Sequence, residues 1–314
     1  MEQIVKVSII IPVYNNEEHL RISMDSVVGQ TMKDIEIICI DDASTDSSLA
    51  ILKEYEQRDE RVHIIKHKEN LSPSQARKNG CLQSCGEYIL FVDGDDYILP
   101  KACEKLYQEM QRSPVDILQF GTYILNYSYM PQSRIEAMRN FIMPLFEEIR
   151  GEEVFERAFR KKDYSFNLWN KFFNGDICRL GMAQIEDGRF IRAEDKYAFM
   201  AIALEAKSYR GIPEKYYVYR FGSGMTGHEE LDLDLFSKYA VMGQTADAVE
   251  RFLERKGLLA KYRDVYEMNR RQLLEDVAMN WRRLKEEERG KGAELLKQFW
   301  KDSEVQYVRG KEMG

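Results

Sequence analysis

An excess of positive charge is missing from this sequence, where 46 Lys and Arg stand against 53 Asp and Glu. A net charge of -7 excludes a broad nucleic-acid-binding surface, which needs a cationic face. No run of about 18 apolar residues is present to span a bilayer, and the N-terminus enters its first strand without a signal-peptide pattern. The expectation is a cytoplasmic protein with no transmembrane segment, touching the inner face of a membrane at most peripherally. Cysteine is sparse and odd in number: Cys39, Cys81, Cys85, Cys103 and Cys178. Most of these sit in apolar-periodic segments, and no second pair follows Cys81 and Cys85 at zinc-site spacing, which argues for reduced thiols rather than a metal knuckle or a disulfide framework. Glycine is absent from the loop after the first strand, Pro12-Val13-Tyr14-Asn15-Asn16-Glu17. That excludes both the dinucleotide fingerprint and the P-loop, whose glycines let backbone amides reach phosphate.

What is present is organised around Tyr88-Ile89-Leu90-Phe91-Val92-Asp93-Gly94-Asp95-Asp96, an apolar run that ends in three carboxylates. Such a run reads as a strand buried on both faces, inside a parallel sheet. Carboxylates crowded at its tip repel one another unless a cation sits between them, and Mg²⁺ or Mn²⁺ suits an all-oxygen site. Three similar units precede it. Residues 7–11 form a strand that breaks at Pro12, residues 35–40 a strand that ends in Asp41-Asp42-Ala43-Ser44-Thr45-Asp46, and residues 62–65 a short third. Amphipathic helices fall between them, the first marked by Leu20, Met24, Val27 and Val28. Alternation of this kind predicts an α/β fold with a doubly wound, mostly parallel, Rossmann-like sheet. Ligands bind such sheets beyond the carboxyl ends of the strands, so Tyr14, Asp41, Asp42, Asp93, Asp95 and Asp96 are expected to converge. With no glycine loop, a diphosphate there would be met by a metal on the acids, with Arg77 as a further cation near the rim.

Beyond Pro100 a helix and a strand over residues 115–120 are expected, then a helical connector to about residue 167. A second acidic pair, Glu194-Asp195, opens a helix, where carboxylates are favoured by the unpaired amides. Residues 216–220 read as an edge strand, and the glycines of residues 221–228 suit a lid or an ordinary hairpin exit. From about residue 229 charged, leucine-rich helices follow: one through Leu235, Tyr239, Met242, Ala246, Val249 and Leu253 to Gly257, a second with Leu274, Val277, Trp281 and Leu284, and a third with Leu295, Leu296, Phe299 and Trp300. The expected domains are residues 1–228, a catalytic domain, and residues 229–314, a helical extension.

Taken together, these motifs resemble the family 2 glycosyltransferases, which have the GT-A fold. The resemblance covers roughly residues 6–226 and rests on five ordered signatures: Pro12-Val13-Tyr14-Asn15 with Glu17; Asp41 to Asp46; Asn70 through Ala76-Arg77 to Gly80; Asp93-Gly94-Asp95-Asp96; and Glu194-Asp195 before the Tyr-rich strand ending at Arg220. It implies an inverting transferase that moves a sugar, a hexosyl or N-acetylhexosaminyl group, from a nucleotide-diphosphate donor, commonly UDP-linked. The acceptor would be a hydroxyl of a glycan or a lipid-linked molecule, in cell-surface polysaccharide biosynthesis. By resemblance, Pro12, Tyr14, Glu17, Asp41, Asp42 and Arg77 hold the base and ribose, one of the two aspartates pairing with the base. Asp93 and Asp95 match the acid-x-acid motif, Asp95 as the direct ligand of Mn²⁺ or Mg²⁺ and Asp93 beside it near the ribose. Asp195, next to Glu194, matches the catalytic base.

The chain departs from the family pattern at Leu71-Ser72-Pro73, where glycines are frequent. His228 would be a further metal ligand if the glycine loop carries one. Asp96 reads as the start of the turn that follows. The alternative from another class is a catalytically inactive nucleotide-sugar-binding or scaffold subunit of a polysaccharide-assembly complex, and the C-terminal helices offer a homodimer surface.

Overall fold

In the computed structural model, which describes residues 4–126, 130–222 and 230–310, four strands pair in parallel: β1 (Val7–Val13), β2 (Ile35–Asp41), β3 (Val62–Lys66) and β4 (Tyr88–Phe91). They lie in the order β3-β2-β1-β4. β1 and β2 are buried almost end to end, which is why their sequences run apolar without polar alternation. The helices Leu20–Val28, Ser48–Glu56 and Pro73–Gln83 make the crossovers. Gly80 lets the third of these lie close on the sheet, since a Cβ there would stand 2.5 Å from Ile40 and 2.7 Å from Ile10. One turn earlier on that helix, Arg77 is buried. Because the chain winds from β1 out to β3 and then returns to the other side of β1, the winding direction reverses at β1. Open parallel sheets bind ligands at such a reversal.

Five further strands complete a nine-stranded sheet: β5 (Tyr97–Ile98), β6 (Ile117–Asn126), β7 (Glu148–Arg150), β8 (Lys171–Asn174) and β9 (Ser208–Phe221). Their order continues β4-β8-β6-β9-β5, with β7 also on β9. β8 is antiparallel to both β4 and β6, and β9 runs parallel to β6. The sheet is thus parallel around β1 and mixed beyond β4, the α/β arrangement that the strand and helix alternation predicts.

Three expectations for the middle of the chain are corrected. The strand expected at residues 115–120 begins at Ile117 and runs on to Asn126. The helical connector instead holds the helix Gln132–Phe141, the strand β7 and the helix Glu153–Phe159, elements too short to show a clear period. The expected edge strand at 216–220 is the last part of the 14-residue β9, which lies between β6 and β5. Gly211 and Pro213 disguise its first half. Gly211 is needed there, since a Cβ would stand 2.2 Å from the Leu145 carbonyl oxygen.

The chain divides into two compact units, residues 1–185 with 198–226, and residues 186–197 with 227–314. The second unit therefore takes a segment that the boundary at residue 228 assigned to the first domain. Its helices are Leu233–Ala240, Met242–Arg255, Arg263–Trp281, Arg289–Leu296 and Asp302–Gly310. The periodicity expected as one helix through Leu253 breaks at Val241, and the last helix was not anticipated. Phe236, Val277, Trp281 and Leu296 fill the core of this unit, and Trp300 Nε1 donates to the Ala240 carbonyl at 2.7 Å. No helix among the described residues is long and apolar enough to cross a membrane.

Candidate functional site

The loops after β1 and β2 are laced to each other. Asn15 N–H donates to Ser44 Oγ (3.1 Å), Asn16 N–H to Ser48 Oγ (2.8 Å) and Glu17 N–H to Asp46 Oδ2 (3.0 Å). In return Thr45 N–H donates to Asn15 Oδ1 (2.8 Å) and Ser47 N–H to Glu17 Oε2 (2.9 Å). Asn15 and Ala43 hold left-handed backbone at φ 51 and φ 60 to make these turns. The amides that a glycine-rich loop would turn toward phosphate are consumed here by side chains. Glu17, assigned by resemblance to the base and ribose, has one oxygen committed to the neighbouring loop. Tyr14 stands out from it at 46% exposure, open to stack on a ring, and Pro12 is half-buried.

Adjacent in sequence, Asp41 and Asp42 differ in their surroundings. Asp42 accepts from Leu71 N–H (2.8 Å) and Ser72 N–H (2.9 Å), and His67 Nδ1 lies 2.7 Å from the same carboxylate. Its oxygens are thus spent on holding the 71–72 backbone. Ser72 sits at φ 98, ψ 158, a conformation natural to the glycine that the family often has there. Asp41 is fully buried, its Oδ1 takes only a 3.3 Å bond from Ser44 N–H, and its Oδ2 has no hydrogen-bond partner. A buried carboxylate oxygen left so costs roughly 1–3 kcal/mol or more. A donor from outside the chain could satisfy it. A cavity of about 460 Å³ beside these residues is lined by Ala43, Ser44, Lys66, His67 and Lys68.

His67 was not anticipated. Asn79 Nδ2 lies 2.9 Å from its Nε2, and an amide N–H there makes Nε2 the acceptor, so Nδ1 carries the hydrogen that bonds Asp42. The signal available in the sequence was a lone histidine just past a strand that ends beside two aspartates.

At the tip of β4 the three acids separate into three roles. Asp93 Oδ1 accepts from Arg77 Nη2 at 2.8 Å, so Arg77 is a buried partner of the acid loop rather than a cation at the rim. Asp95 is half-buried. Asp96 is 1% exposed and accepts from the Tyr217 hydroxyl (2.8 Å) and from Arg220 N–H (2.7 Å), while Arg220 Nε donates to the Asp95 carbonyl (2.8 Å). The Tyr217 hydroxyl also accepts from Asp93 N–H at 3.1 Å. Asp96 is therefore the bolt that fastens the acid loop to β9, a correction to its reading as the start of a turn. Burial first, then the charges of Asp95 and Asp93, hold its carboxyl well above the usual carboxylate range. Burial and the Asp96 charge raise the Tyr217 hydroxyl likewise.

Glu194 and Asp195 occupy the first turn of the helix Glu194–Glu205, as expected, and residues 194–197 group with the second unit. Both are half-buried. His228 and the glycine loop before it, residues 223–229, lie outside the described residues.

A model of glycosyl transferase family 2 matches residues 8–188. The chain belongs to that family. It is 33% identical over 218 residues to the uncharacterized glycosyltransferase EpsJ of Bacillus subtilis, covering 68% of this chain and 60% of EpsJ. It is 46% identical over 115 residues to the poly(ribitol-phosphate) beta-glucosyltransferase of Bacillus spizizenii, covering 36% of this chain and 18% of that protein. The chain thus spans part of the length of each of these relatives. Solved structures of S. aureus TarS 1-349 with UDP and with UDP-GlcNAc share the fold, with TM-scores of 0.56 and 0.55 at 19% and 18% identity. Each comparison covers 97% of this chain and 92% of that one.

For a family 2 glycosyltransferase the acid loop is the place to test the fit of a divalent ion. Among the described residues no three Asp, Glu, His or Cys gather into a ready cage. Mg²⁺ and Mn²⁺ in phosphate sites ordinarily take one or two carboxylates and complete their shell with phosphate oxygens and water. Asp95, half-buried, with Asp93 two residues away, fits a shared site of that kind and does not fit a structural metal cage.

Proposed function

We propose that this chain is an inverting, metal-dependent glycosyltransferase that uses a UDP-sugar, a hexosyl or N-acetylhexosaminyl donor, and glycosylates a hydroxyl of a glycan or lipid-linked acceptor in cell-surface polysaccharide assembly. The observation that carries the donor half is the buried, unpartnered Oδ2 of Asp41 beside loops whose amides are already bonded. A pyrimidine ring N–H satisfies that oxygen, and Asp41 takes the base while Asp42 holds the loop that shapes its pocket. Tyr14 stacks on the ring from the exposed side. The TarS complexes with UDP and UDP-GlcNAc, in the same fold, support UDP as the nucleotide.

Transfer with inversion is a direct displacement. The acceptor oxygen bonds to the anomeric carbon as the carbon–oxygen bond to the diphosphate breaks, and the acceptor proton passes to a base. Asp195, the match to the family's base and a carboxylate in a helix's first turn, receives that proton, with Glu194 beside it. Arg77 and Asp93 keep the acid loop in register as the donor binds. Asp95, with Asp93 alongside, would hold a Mg²⁺ or Mn²⁺, which when bound would neutralise charge on the leaving diphosphate. The reading places the protein in the cytoplasm, where Cys39, Cys81, Cys103 and Cys178, all free and buried, stay reduced, with peripheral contact to the inner membrane face for a lipid-linked acceptor. Self-association through the C-terminal helices belongs to the same reading.

The test is a screen of nucleotide sugars for metal-dependent release of UDP, repeated with Asp195→Asn. A donor should emerge whose turnover that variant loses while UDP binding persists. Unchanged turnover would move the base elsewhere.

A further inference from the structure

The segment that carries Asp195 is tied to the C-terminal helices on both sides of that residue. Three residues upstream, the Arg192 guanidinium lies 3.9 Å over the ring of Tyr239, and the Arg192 carbonyl accepts from Thr245 Oγ1 at 2.9 Å. Just downstream, the buried Lys196 donates from Nζ to Gln272 Oε1 at 3.1 Å. Between them Ala193 holds φ 59 and packs against the helical core. Left-handed backbone at a residue with a Cβ costs about 1–2 kcal/mol, and it persists only where surrounding contacts over-determine it. Helices Leu233–Ala240, Met242–Arg255 and Arg263–Trp281 each contribute one of those contacts, which is more than capping a helix start requires.

We infer that the C-terminal helices are the scaffold that sets the position of Asp195, with Tyr239, Thr245 and Gln272 as positioning residues. The inference rests on the reading of Asp195 as the base. A general base must sit within hydrogen-bond reach of the proton it takes, and a displacement of about 1 Å can cost on the order of a hundredfold in rate. Two anchors and a strained turn fix residues 192–196 against such drift. The helical extension is, on this account, a working part of the transferase and not an appendage.

The experiment compares the full-length chain with the double variant Thr245→Val, Gln272→Leu. Amide hydrogen exchange should quicken roughly tenfold or more in residues 192–197 while β1 to β4 keep their protection. UDP release from UDP-GlcNAc should fall by roughly tenfold in kcat, with the calorimetric affinity for UDP held within about twofold, and Thr245→Ser with wild-type Gln272 should restore the rate. Unchanged exchange in 192–197 overturns the inference, as does a rate loss that merely tracks weaker UDP binding. Failure of the base reading shows separately. If Asp195→Asn keeps full turnover while the double variant still loosens the segment, the scaffold stands and Asp195 is not what it serves.

Discussion

Replacing Asp96 with alanine leaves two buried donors without acceptors, the Tyr217 hydroxyl and the Arg220 N–H, which now bond the carboxylate at 2.8 and 2.7 Å. A buried donor stranded in this way costs about 1–3 kcal/mol, so the pair sums to about 2–6 kcal/mol. Removing an acid that burial, Asp95 and Asp93 all disfavour in its charged form offsets part of this. A net loss of about 2–4 kcal/mol is expected for Asp96→Ala. The pH dependence sharpens the test. Because the folded-state pKa of Asp96 is raised, the native protein keeps this proton to higher pH than the unfolded chain does. The stability linked to it is therefore whole below the ordinary carboxylate range and is lost as pH rises through the raised value. Asp96→Asn does not titrate and still offers Arg220 N–H an oxygen, so wild type should lose ground to it as pH rises from about 4. Urea denaturation followed by near-UV circular dichroism, in which the stack of Trp169 on Tyr217 at 4.8 Å reports, gives both numbers. A loss below about 0.5 kcal/mol for Asp96→Ala, or a gap between wild type and Asp96→Asn that ignores pH, would refute the bolt.

Four other substitutions test contacts elsewhere in the first unit. Ser72→Gly should raise stability by about 1 kcal/mol, because glycine adopts φ 98 without strain and removes a buried hydroxyl that has no partner; a lower thermal midpoint would show that the serine side chain is needed. Asp41→Asn should weaken UDP binding by about tenfold or more, whereas Asp42→Asn should chiefly lower stability by about 1–3 kcal/mol; calorimetry and denaturation of both variants would contradict the assignment if the two effects came out exchanged. Gly80→Val should destabilise by about 1–3 kcal/mol, since even its Cβ would stand 2.5 Å from the Ile40 side chain, and an unchanged urea midpoint would mean that the helix shifts freely on the sheet.

The first ninety or so residues were legible because each signal there is local. Uninterrupted apolar runs such as that of β1 announce strands buried on both faces, and the helical spacing of Leu20, Met24 and Val27 gives the first crossover. The acids fell at strand ends for the same reason. Which oxygen is spent and which is left over was not legible, because Asp42 meets His67 and the 71–72 amides only through tertiary folding. Asp96 was misread on the same ground: its partners lie more than a hundred residues on, in β9. That strand itself hid behind Gly211 and Pro213, which break the strand pattern yet are accommodated by a close approach to Leu145 and a register shift against Gly121. The grouping of residues 186–197 with the C-terminal helices depends on contacts from three separate helices, and no local pattern carries that.

On the proposed reading, the acid-tipped strand receives a nucleotide diphosphate through a shared divalent ion on Asp95. Calorimetric titration of the full chain with UDP, in Mn²⁺ and again in excess chelator, tests it most directly. Affinity should rise by about tenfold or more with Mn²⁺ for wild type and show no such rise for Asp95→Ala. Equal affinity for UDP with the ion and with chelator in the wild-type protein would contradict it.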